Sequence, residues 1–156
     1  MAIRTAPWQD KEIRGKRTIT LPITDGVTLF IGSQAVVDLT TGRANLPTDV
    51  VTRRHLGMVV EFDSPLQTGG SATGNAAGTV RVIIDMDGGI IREVDVAVAA
   101  AETDVGDQVF LATDNVETDL TTAATTNLNA IGEIIRFHTS SSWDVLLYSA
   151  ETIRGL

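Results

Sequence analysis

The chain has no cysteine, so disulfides, a thiolate nucleophile and any cysteine-based zinc site are excluded. It has only 2 histidines, His55 and His138, and neither stands at a spacing such as His-x-x-x-His that suits a metal. Aromatics are scarce, at 4% of the residues, so a core must be made from Val, Ile, Leu and Ala. No apolar run approaches the roughly 20 residues of a membrane-spanning helix, and residues 1–20 lack the apolar centre of a signal peptide. A soluble protein made in a cytoplasm is expected. Positive charge is also short: 12 basic against 20 acidic residues give a net −8, which disfavours generic binding to a phosphate backbone.

The charge is unevenly spread. Residues 1–17 carry a net +3 and the remainder a net −11. That segment has isolated apolar residues, Ile3, Trp8 and Ile13, with neither a helical nor a strand period, and Pro7 discourages a helix. It reads as an extended basic arm, followed by a single β-rich domain over residues 18–156. Trp8 is costly to leave in water and calls for a surface to pack on.

The body alternates short β-branched runs with turn residues, the mark of antiparallel sheet. Strands are expected at residues 18–23, 27–31, 34–39, 43–46, 57–62, 79–85, 90–98, 106–111, 130–137 and 143–148, with turns at Asp25-Gly26, Thr41-Gly42 and Asp87-Gly88-Gly89. Residues 47–54 offer at most one helical turn, and 97–103 a turn of helix or a linker. Residues 64–78 read as a flexible glycine-rich loop without the P-loop spacing. Residues 118–129 form a Thr/Asn-rich connection.

Two halves match. Gly32-Ser33-Gln34-Ala35-Val36-Val37 aligns with Gly106-Asp107-Gln108-Val109-Phe110-Leu111, and Leu56-Gly57-Met58-Val59-Val60-Glu61-Phe62 with Ile131-Gly132-Glu133-Ile134-Ile135-Arg136-Phe137. The expected fold is therefore mainly β, a compact barrel or sandwich of two similar units, about 18–98 and 99–150, with little helix.

Chemistry is hard to find in this chain. His138 reads as a surface residue of a hairpin tip and His55 as a neutral neighbour of Arg53-Arg54. Asp85-Met86-Asp87-Gly88 is a fragment of a calcium loop without its closing glutamate. Glu102, Asp104 and Asp107 suit solvated turns. No catalytic residue, metal ligand or cofactor is expected, and the chain reads as a non-enzyme.

The stretch "VGDQVFLATDNVETDLTTAATTNLNAIGEIIRF" with the following "WDVLLY" resembles a family of bacteriophage capsid decoration, or head cement, proteins. Residues 105–110 and 131–135 carry the pattern, and residues 32–37 match it more loosely, with Ser33 in place of Asp. The resemblance implies a β-rich virion structural protein on the outer surface of the expanded head. It would bind the major capsid protein as a homotrimer or dimer, without direct nucleic-acid or membrane contact. Within that reading Ile3, Arg4, Trp8, Ile13, Arg14 and Arg17 are the capsid-engaging residues of the arm, which can add a strand to an exposed sheet edge. Another virion part, such as a tail-tube or head-fibre base protein, and a carbohydrate- or ligand-binding β module are the alternatives.

Overall fold

The structure is a computed structural model, and it describes residues 17–47, 51–63, 70–112, 120–126 and 129–149. It is mainly β, as the alternation of β-branched residues requires. The strands are β1 (Thr18–Pro22), β2 (Thr28–Phe30), β3 (Gln34–Asp38), β4 (Arg43–Asn45), β5 (Arg53–Asp63), β6 (Ser71–Thr73), β7 (Arg81–Asp85), β8 (Gly89–Val94), β9 (Gln108–Leu111), β10 (Leu120–Thr121), β11 (Gly132–Thr139) and β12 (Ser142–Leu147). One 3₁₀ turn, Glu102–Asp104, stands in the alanine-rich segment.

The strands form two five-stranded antiparallel sheets, ordered β1-β7-β5-β3-β4 and β10-β9-β11-β12-β8, with β2 and β6 as a separate ribbon. Read from opposite ends, the two orders are the same: β8, β9, β10, β11 and β12 take the places of β1, β3, β4, β5 and β7. The two units share their pairing as well. Ala35 faces Gly57 as Val109 faces Gly132, and Val59 faces Ile84 as Ile134 faces Val145. A bulge interrupts the ladder between Val59 and Glu61, and again between Ile134 and Arg136. The extra residue bends both strands at the same point.

A turn glycine explains why the matched motifs begin as they do. Gly32 and Gly106 have φ of 90° and 98°, a conformation open to glycine without steric cost. The Gly32 N–H donates to the Val59 carbonyl at 2.8 Å, and the Gly106 N–H to the Ile134 carbonyl at 2.8 Å. The Ser33 carbonyl then accepts from Val59, and the Asp107 carbonyl from Ile134. The bonds shared by the two joints are made by the Ser33 and Asp107 backbones, and the Ser33 hydroxyl adds a bond of its own, donating to the Phe30 carbonyl at 2.8 Å.

Each unit has its own apolar core. The first contains Ile23, Leu29, Ala35, Leu56, Val59, Val82 and Ile84, and the second contains Val96, Val109, Leu111, Ile131, Ile134, Trp143 and Val145. Val36 belongs to the second core although it lies on β3, so it ties the first sheet to the second unit.

Several expectations need correction. Residues 90–98 were assigned to the first unit, but β8 pairs with β12, so the division between sheets falls at residues 86–88. A tight turn usually joins paired neighbours; here Gly88 packs against the Leu147 and Tyr148 backbone and carries the chain into the other sheet. Residues 71–73 of the expected glycine-rich loop form β6, because Ala72 is buried opposite Leu29 and Thr28 bonds Thr73 through their hydroxyls at 2.7 Å. Arg53 and Arg54 open β5 and belong to no helical turn, while residues 48–50 lie outside the described residues. The Thr-rich connection contains β10, paired to β9 at Leu120 and Thr121.

Candidate functional site

Of the arm residues singled out in the sequence, Ile3, Arg4, Trp8, Ile13 and Arg14 lie outside the described residues. Arg17 is described, and it is engaged within its own chain. Its N–H and Nε both donate to the Asp87 carboxylate at 2.7 Å, and its carbonyl accepts from the Met86 N–H at 2.9 Å. It thus prolongs the β1–β7 pairing by one residue. The same contact uses the Asp87 carboxylate of the calcium-like fragment, and Asp85 Oδ1 accepts from the Asp87 N–H at 2.9 Å. Among the described residues no group of three His, Asp or Glu side chains is placed to hold a metal.

A cleft of about 180 Å³ opens beside Arg17, at the junction of the two units. Strand β5 supplies His55, Gly57 and Met58, and β7 supplies Asp85. Gly88, Gly89, Ile90, Ile91, Leu147 and Tyr148 complete the lining. Burial raises the Tyr148 hydroxyl above its ordinary value, and the nearby Glu133 carboxylate adds to the effect. His55 is buried, its Nε2 2.8 Å from Gln34 Oε1, which joins β5 to β3. Sequence reasoning left His55 as an ordinary neighbour of two arginines. Its alternation with the apolar Leu56 was the available signal.

His138 is also placed differently from expectation. It lies in β11, half-buried, with Nε2 2.9 Å from Asp144 Oδ1 on β12. Asp144 is buried and accepts a second bond from the Glu93 N–H at 3.0 Å, where Glu93 has φ of 55°. The His138 bond, then the Glu93 N–H, hold the Asp144 carboxyl below its ordinary value of 3.8. A depressed carboxylate stabilises the fold fully above that ordinary value, and the contribution disappears as pH falls through the folded-state value. The wild-type unfolding midpoint is therefore expected to drop on acidification from above the ordinary carboxylate value of 3.8 to below it. Asp144→Asn should start lower and lose less over that range in urea titrations. An unchanged pH slope in the variant would assign the acid sensitivity elsewhere. Asp104 is held down similarly, by the Ala100 and Ala101 N–H groups at 2.7 and 2.9 Å, which accounts for one carboxylate of the 102–107 cluster as a turn cap.

Exposed apolar side chains fall at matching places in the two units. Ile31 (49% exposed) precedes Gly32, and Val105 (41% exposed) precedes Gly106. Phe30 extends the first of these on the ribbon, and Ile135 stands in the bulge beside the second. Among the described residues no helix is long and apolar enough to cross a membrane. Comparison with protein-family models, curated proteins and solved structures found no match.

Proposed function

We propose that the chain is a decoration protein of a bacteriophage head, binding the outer surface of the expanded capsid and tying neighbouring major capsid subunits together. The observation that carries this reading is the family-like sequence pattern, Gly-Asp-x-Val-Phe with Ile-Gly-Glu-Ile-Ile, falling on one structural joint. That joint is the glycine turn into β9 and its pairing with β11, and it recurs in the first unit at β3 and β5. A duplicated, acidic β body with apolar residues at matched turns suits docking onto a protein lattice, where many weak identical contacts add through multivalency. The working form is a homo-oligomer, a trimer at a symmetry axis of the virion surface.

In this reading residues 1–16 reach the capsid. Trp8 is the apolar anchor with Ile3 beside it, and Arg4 and Arg14 are the ionic contacts. Arg17 stands at the root of the arm, its Nε bonded to Asp87 and its side chain 41% exposed. The test is sedimentation with expanded, undecorated heads. The full chain should co-sediment, and deletion of residues 1–16 should weaken binding at least tenfold, about 1.4 kcal/mol. Full binding after the deletion would remove the arm from the interface, and no binding by the intact chain would remove the capsid itself.

A further inference from the structure

We propose that the two matched joints are the unlike halves of a contact between copies of this chain, with Glu61 of one copy meeting Arg136 of the next. The inference rests on the homo-oligomeric form proposed above and names the surface that builds it. The arm keeps its separate role toward the capsid.

The bulges give the first ground. A regular strand alternates its faces, and a bulge lets two residues in a row look outward. Along β5, Val59 is buried, Val60 half-buried, Glu61 exposed and Phe62 buried. Along β11, Ile134 is buried, Ile135 and Arg136 are exposed and Phe137 is half-buried. Each unit thus shows an apolar residue beside a charged one. Gly32 and Ser33 both bond Val59, so the next residues out, Ile31 and Val60, are brought opposite each other. Gly106 and Asp107 both bond Ile134, which brings Val105 opposite Ile135 in the same way. Phe30 (57% exposed) enlarges the first patch, and Ile135 is 39% exposed in the second. A single exposed apolar side chain is ordinary, but grouped ones mark a surface that meets a partner.

Charge chooses the partner. The two joints share a shape but not a sign, because Glu61 and Arg136 hold equivalent places in β5 and β11. Among the described residues neither has an ion-pair partner in its own chain. Two first joints would set glutamate against glutamate, and two second joints arginine against arginine, which like-charge repulsion opposes. A first joint against a second sets apolar on apolar and Glu61 beside Arg136. Such a contact between unlike patches repeats head to tail, and a trimer closes through it as a ring. Asp107 also carries an exposed charge at the second joint, where the first has Ser33.

Sedimentation velocity of the full chain, free of heads, tests this. The wild type should form a discrete oligomer. Glu61→Arg and Arg136→Glu should each weaken self-association about tenfold, and the two together should return it to within about threefold of wild type. Asp107→Ser, which copies the first joint, should not weaken it. Urea midpoints measured at high dilution should hold in every variant, since all three side chains are exposed. An oligomer indifferent to both single reversals, a double variant as weak as the singles, or loss of association in Asp107→Ser would overturn the contact and leave the capsid reading standing. Reversals that abolish binding to heads while the oligomer persists would also overturn it, placing these joints against the capsid. A wild type that is monomeric at every concentration would overturn the contact and the homo-oligomer together, and co-sedimentation of that monomer with heads would still decide the capsid reading.

Discussion

Trp143→Ala should cost about 3–5 kcal/mol of folding stability, the range for emptying a large buried aromatic site. Among the described residues Trp143 is the largest fully buried side chain, and it sits on β12, flanked by β11 and β8. It meets Phe137 edge to face, with ring centres 5.0 Å apart, and faces Val94 across the other ladder. Seven aromatics in the whole chain leave few side chains able to refill that space. The structural counterpart in the first unit is Val82, paired with Phe62 as Trp143 is with Phe137, so the second core is built around a side chain the first does without. The Trp143 Nε1–H has no acceptor among the described residues. Trp143→Phe therefore loses volume but sheds a buried donor, and should cost only about 1–2 kcal/mol. Urea unfolding followed by circular dichroism distinguishes the two. A cost under about 1 kcal/mol for the alanine variant would mean that the second core is not packed on this residue.

Gly57→Ala and Gly132→Ala should each cost about 3 kcal/mol, at the upper end for overpacking. A Cβ at Gly57 would run into the Asp85 carbonyl oxygen, and one at Gly132 into the Leu146 carbonyl oxygen. Both obstacles are central-strand backbone, which cannot swing aside like a side-chain tip. The two glycines are also equivalent, each crossing the middle strand of its sheet between the same two neighbours. Gly26→Ala is the comparison: its φ of 77° is unfavourable for alanine, but no atom stands within 4 Å, and about 1 kcal/mol is expected. If the two central variants cost no more than this one, the close approach of strands at the matched glycines is wrong.

These glycines also show what could be read before the fold was known. The matched motifs placed Gly32 with Gly106 and Gly57 with Gly132, and those pairs occupy equivalent joints. A glycine required by backbone geometry leaves a trace in sequence that a packing residue does not. The ribbon left little trace, since Ser71, Ala72 and Thr73 have no strand-like apolar content and become a strand only by pairing with β2. The membership of β8 was hidden for a related reason. Its alternation is local, but the choice of β12 over β7 as its partner is made by distant residues. Gln34 and His55 are buried and bonded to each other across β3 and β5, a contact set by the pairing of two strands rather than by either residue's neighbours in sequence. The His138–Asp144 pair was closer to legible. Two polar residues six apart, flanking a tight Ser140-Ser141 turn, fall side by side on antiparallel strands. The arm itself lies outside the described residues apart from Arg17.

The most direct measurement of the capsid reading is the saturation ratio in sedimentation velocity of the purified chain mixed with expanded, undecorated phage heads. A decoration protein gives a plateau at a fixed ratio of chain to major capsid protein, and that ratio names the symmetry position it occupies. A discrete oligomer that sediments apart from the heads at every concentration would contradict the reading.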